Sequence, residues 1–182
     1  MKVIKIMSNH SKKQKIIQSL NPDDAFTVLM LLLKENPDLE DRIYQISMRI
    51  LTNVDSDDIM LDVYSELNML DVDDLYNSSG RTRYGYVEPS EEAWNMFQDA
   101  LEPFIDEMKK YQKRNMPIVA KEFCIGIIKG LRKFENESTS DFKDWAVDAP
   151  EESVENVFDE WKTGQPSKEH IDEISQIIKE GR

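Results

Sequence analysis

Apolar positions recur at three- and four-residue spacings along most of this chain, the period of helices that bury one face. Leu39, Ile43, Ile46 and Ile50 form one such stripe, and Met60, Val63, Tyr64, Leu67 and Leu70 form another. Trp94, Phe97, Leu101, Phe104, Ile105 and Met108 make the longest. Val154, Val157, Phe158 and Trp161, then Ile171, Ile174 and Ile178, give two more near the C-terminus. Two stretches depart from the stripe. Ala25 to Glu35 (Phe26, Val28, Leu29, Leu31, Leu32, Leu33) and Ile118 to Phe134 are apolar nearly all round, the pattern of a central, buried helix. Ile16, Ile17 and Leu20 suit a short basic helix starting at Ser8 or Ser11 and docked on one edge, and residues 1–7 fit either a short strand or an arm.

Helix-start signals divide the pattern. Asn21-Pro22-Asp23-Asp24 offers an N-cap, a first-turn proline and acids facing the positive end of the dipole. Asn36-Pro37-Asp38 repeats it, and Asp55, Asp71, Pro89, Pro150 and Ser167 head further helices. With so little loop at Asn36, the flanking helices are expected as an antiparallel hairpin. Asn115-Met116-Pro117 joins a similar pair, which suggests an internal repeat of hairpins. Pro103 should kink or split the helix that contains it. The small-xxx-small pair Gly126 and Gly130 favours close packing against a neighbouring helix. The expected fold is all-α: some seven to nine helices in a single domain, residues 1–182, as stacked antiparallel hairpins of the HEAT or TPR kind or as an irregular bundle.

The longest segment without helical period is 77–89, Asn-Ser-Ser-Gly-Arg-Thr-Arg-Tyr-Gly-Tyr-Val-Glu-Pro. Gly80 and Gly85 allow backbone angles that other residues resist, so a defined loop is expected. Arg81 and Arg83 carry guanidinium forks suited to carboxylate or phosphate, and Tyr84 and Tyr86 offer stacking faces and hydroxyl groups. They suit a site for an anion, a nucleotide or an acidic peptide. In a chain this acidic the reading that weighs more has the arginines pairing with Asp71, Asp73, Asp74 or Glu88 to pin the loop, with the tyrosines filling gaps between hairpins.

Charge changes the picture. The chain carries a formal net charge of -13, so the basic surface of a nucleic-acid binder is missing overall. Residues 1–20 hold five lysines and no acid, a basic N-terminal segment. Residues 109–133 hold eight basic side chains against Glu122 alone, including the ridge Lys109, Lys110, Lys113 and Arg114. Residues 135–182 form an acidic C-terminal subregion, with 14 acids and 5 basic residues. Such asymmetry suits solvated helix faces, a charged partner or self-association. With Cys124 alone no internal disulfide forms, and its apolar neighbours predict a buried thiol. No signal peptide or membrane span is read, and the expected location is cytoplasmic.

No catalytic, metal or cofactor motif emerges. Asp55, Asp57 and Glu66 match the first, third and twelfth places of a calcium loop, but Ile59 and Met60 stand where an oxygen ligand and a glycine are needed. Asp71, Asp73 and Asp74 fail in the same way, and both clusters read as helix caps. One cysteine with His10 and His170 far apart supplies neither a zinc set nor a nucleophile with its base.

The run from Asp71 to Phe134 includes Gly80-Arg81-Thr82-Arg83-Tyr84-Gly85-Tyr86, Ala93-Trp94 and Leu101-Glu102-Pro103-Phe104. It resembles uncharacterised prokaryotic helical-repeat (HEAT-like) proteins, some of them similar to helical parts of SWIM-type zinc-finger proteins. The finger's cysteines and histidine have no counterpart here, so the resemblance implies a helical fold and no activity. The leading expectation is a non-enzymatic module for a protein partner, with contacts at Arg81, Arg83, Tyr84, Tyr86 and the 109–114 ridge. A small-anion binder or enzyme with its pocket under the 77–89 loop is a second. A homo-oligomer joining basic segment or ridge to acidic C-terminal helices is a third.

Overall fold

A computed structural model describes residues 12–83 and 85–181; the expectations for residues 1–7, His10 and Tyr84 lie outside the described residues. The fold is all-α apart from one small hairpin. Helices α1 (Lys12–Gln18), α2 (Pro22–Glu35) and α3 (Glu40–Leu51) lead, with a 3-10 turn at Pro37–Leu39. Then come α4 (Ser56–Asn68), α5 (Val72–Ser78), strands β1 (Gly80–Thr82) and β2 (Gly85–Val87), and α6 (Pro89–Lys113). Next are α7 (Pro117–Glu137), a 3-10 turn at Asp141–Asp144, α8 (Ala149–Lys162) and α9 (Lys168–Glu180).

The chain divides into two compact units, the first ending at Ile50 and the second starting at Leu51, a boundary that the single-domain expectation does not contain. In the second unit α7 is the axis: α4, α6, α8 and α9 all contact it. A helix touched by four others, not all adjacent in sequence, describes a bundle, since a stacked array joins each repeat only to its neighbours. Cys124, Ile127, Ile128 and Leu131 of α7 are sealed from solvent, with Val63 and Leu67 of α4, Phe97 and Leu101 of α6, Val157 and Trp161 of α8, and Ile174 of α9. Residues 135–182 therefore complete the core, because α8 and α9 both pack on α7.

Glycine sets the closest contact. A β-carbon built on Gly126 would stand 2.6 Å from Cβ of Ile59, and one on Gly130 would stand 2.6 Å from Cβ of Val63. The spacing read from sequence as close packing is the α4–α7 crossing.

In the first unit no described residue is buried. The prediction of a central, buried helix over 25–35 is overturned: Phe26, Val28, Met30, Leu31 and Leu32 are all exposed, while Leu29 and Leu33 are half-covered. Ile16 and Ile17 are exposed too, against the expected docking of that helix. The expected α2–α3 hairpin does not close either, since α2 packs on its following 3-10 turn and makes little contact with α3. Periodicity reports that a surface is apolar; among the described residues of the unit no neighbour is placed to cover it.

The start signals mostly form as read. Side-chain oxygens accept backbone N–H groups at Asn21 (from Asp24, 2.8 Å), Asp55 (from Asp57, 2.9 Å), Asp71 (from Asp73, 2.7 Å) and Ser167 (from His170, 3.3 Å). Asn36 differs. It ends α2 and makes no side-chain cap for the turn after it, its amide donating weakly back to the Leu32 carbonyl at 3.4 Å. Pro103 neither splits nor ends α6.

Candidate functional site

The 77–89 segment is not a free loop. Helix α5 runs to Ser78, and Gly80–Thr82 pairs antiparallel with Gly85–Val87 in the register Gly80↔Val87, Arg81↔Tyr86, Thr82↔Gly85. Positive φ at Gly80 (+83°) and Gly85 (+142°) bends the chain into and out of this hairpin, a conformation costly for any residue with a Cβ. Strands of three residues are too short to write a period of two into the sequence.

Arg81 and Tyr86 stand directly opposite, so their side chains share one face, and Arg83 lies in the turn. All three are exposed, Tyr86 at 64%. Neither arginine makes an ion pair among the described residues, so the anticipated pinning by Asp71, Asp73, Asp74 or Glu88 is not found. Asp71 is engaged as a cap instead. Nor does Tyr86 fill a gap between helices.

The 109–114 ridge lies elsewhere. It occupies the last turns of α6, whose first turn adjoins the hairpin, and at 1.5 Å per residue the two clusters are roughly 30 Å apart along the helix. They do not form one site. Lys109 pairs with Glu160 of α8 at 3.3 Å and Lys110 with Glu107 at 2.7 Å, while the Arg114 guanidinium lies 5.7 Å from the Tyr111 ring centre. Lys113 and Arg114 are exposed. Lys121 likewise pairs with Glu173 of α9 at 2.9 Å. Basic α6–α7 surface thus meets the acidic C-terminal helices within one chain, the match that the third expectation assigned to two copies.

Arg132 carries a feature that reading the sequence missed. On α7 it is 8% exposed, donates to Glu135 at 2.8 Å and bonds Glu151 of α8, while its Nε and Nη2 are buried without a partner among the described residues. Burial works against its charge, but hydrogen bonds to Glu151 and Glu135, and their charges, outweigh this and hold the guanidinium above its ordinary value. It borders a groove of about 420 Å³ with Met60, Ile128, Lys129, Lys133 and Ile177. Only the fold joins these positions, so the sequence carried no signal for them. The groove's nearby cations are engaged: Lys129 with Asp57 at 2.7 Å and Lys133 with Glu137.

Cys124 is fully buried, and burial pushes its thiol far above the ordinary value, which suppresses the nucleophilic thiolate. Among the described residues no cluster of three or more His, Cys, Asp and Glu is placed to hold a metal ion, and no single helix is long and apolar enough to cross a membrane. Comparison of the chain with protein-family models, curated proteins and solved structures finds no match.

Proposed function

We propose that this chain is a protein-binding module whose 80–87 hairpin engages an acidic surface or segment of another protein. One observation carries the reading: Arg81, Arg83 and Tyr86 are presented together, exposed and with no ion pair from the described residues, on a hairpin of fixed register in a chain of net charge -13. Exposed arginines beside an aromatic suit the anchor positions of interfaces. An acidic chain that leaves two guanidinium groups unneutralised keeps them for carboxylates elsewhere. The ridge at Lys113 and Arg114 belongs to a separate face. The hairpin is too far from it for one small ligand to touch both.

The test compares partner capture by the native chain and by an Arg81→Glu, Arg83→Glu variant. Because both side chains are exposed and neither is in an ion pair among the described residues, the variant keeps the native melting temperature. A partner held by the native chain and lost by the variant supports the reading. Equal capture contradicts it. A nucleotide or organic anion that raises the melting temperature of the native chain alone moves the site to small-ligand binding.

A further inference from the structure

Helix α2 presents its apolar side chains to solvent, and the arrangement of its charges identifies what covers them. We propose that the chain forms a two-fold symmetric homodimer in which α2 packs antiparallel against α2 of a second copy. This surface is distinct from the 80–87 hairpin.

Area is the first argument. Phe26, Val28, Met30, Leu31 and Leu32 are two-fifths to two-thirds exposed. At about 150 Å² for a large side chain, that leaves on the order of 400 Å² of apolar surface. Phe26 and Met30 share one face with Leu31 on its flank, whereas Val28 and Leu32 stand on the opposite side, so the α2 contact draws on the first three. Ile16, Ile17, Tyr44 and Ile50 of the same unit are about two-thirds exposed and bring the unit's exposed apolar surface to roughly 800 Å².

Charge is the second. The unit, residues 1–50, holds eight basic and six acidic side chains, a net charge of only +2 within a chain of net charge -13. So small a net charge repels a second copy little.

The third is the order of residues on one face. Asp23, Phe26, Met30 and Lys34 follow at steps of three, four and four, which line them up along a helix, and all four are exposed. An antiparallel copy about a two-fold axis midway between Phe26 and Met30 brings Phe26 against Met30 of the second copy, and the reverse. Asp23 then lies within about 1.5 Å, one residue's rise, of the level of Lys34 in the second copy. Thioether meets ring and carboxylate meets ammonium, each twice, as an isologous contact requires. Antiparallel dipoles add to the match.

Sedimentation velocity on the full chain reads the result. The native chain passes from 21.3 kDa to twice that mass as concentration rises. Asp23→Lys and Lys34→Asp each place like charges across the contact and weaken the dimer about tenfold or more. Mixed in equal amounts, the two variants regain the dimer, since each supplies the charge the other lacks. A role confined to α2's own stability would leave that mixture weak. Phe26→Ala, which favours helix, weakens the dimer without depending on charge or on α2's first turn. A chain that stays at 21.3 kDa throughout, a dimer indifferent to all three substitutions, or a mixture no tighter than its parts overturns the proposal. Recovery of the monomer on anionic vesicles or on another protein through Phe26 would name the occupant instead.

Discussion

Helices α2 and α7 are written in the same pattern and meet opposite fates. Both are apolar on nearly every side, both start at a proline, and both follow a turn containing asparagine. In α7 the pattern is answered: four helices surround it, eleven of its residues are buried, and two glycines draw α4 to contact distance. In α2 no residue is buried. Hydrophobicity states a demand for burial, and topology decides whether the same unit meets it. The demand that α2 leaves open is the one that the proposed dimer would meet.

Equal truncations separate the two most sharply. Phe97 packs edge-on against Phe134 of α7 at 5.8 Å and is sealed from solvent, so Phe97→Ala should lower unfolding free energy by about 3–5 kcal/mol in denaturant titrations. Phe26→Ala, at a site 63% exposed, should change the stability of the dilute chain by no more than about 0.5 kcal/mol. A large loss at Phe26 in dilute solution would break the comparison.

Gly130→Ala probes the contact that α2 lacks. Its methyl would meet the Val63 side chain and, at 3.0 Å, the Met60 carbonyl, so the helices must separate, costing about 1–3 kcal/mol. Adding Val63→Ala should restore part of this, and strict additivity of the two would contradict the geometry.

Arg132→Ala removes the tie from α7 to α8. Because Glu135 and Glu151 are both more than a third exposed and can hydrate, the expected loss is modest, about 1–2 kcal/mol. The smallest effect is confined to alkaline solution. Burial favours the neutral Cys124 thiol, so the folded chain keeps that proton above the ordinary value of 9.0. Stability from this source is complete below that pH and declines above it. The advantage of the native chain over Cys124→Ala should shrink by up to about 1.4 kcal/mol per pH unit there, and stay flat below.

Local chemistry made much of this legible. Caps at Asn21, Asp55, Asp71 and Ser167 depend on residues two or three positions apart, and the Gly126–Gly130 spacing announced a close crossing. What the spacing could not name was the partner, because α4 lies some sixty residues upstream. Asn36 carried a start signal, yet the chain used it as a stop. The arginines of the hairpin were legible as candidates, but whether Asp71 would meet them depended on Asp71 being spent as a cap. Lys109–Glu160 and Arg132–Glu151 join distant elements and left no local trace.

The most direct measurement is native-state hydrogen exchange of α2 and α7 amides at two protein concentrations. In dilute solution α7 amides should exchange only through global unfolding and α2 amides orders of magnitude faster. At high concentration α2 should slow while α7 stays unchanged, because association covers α2 alone. Protection of α2 equal to that of α7 in the dilute chain would contradict the account: the demand of α2 would then already be met within one molecule.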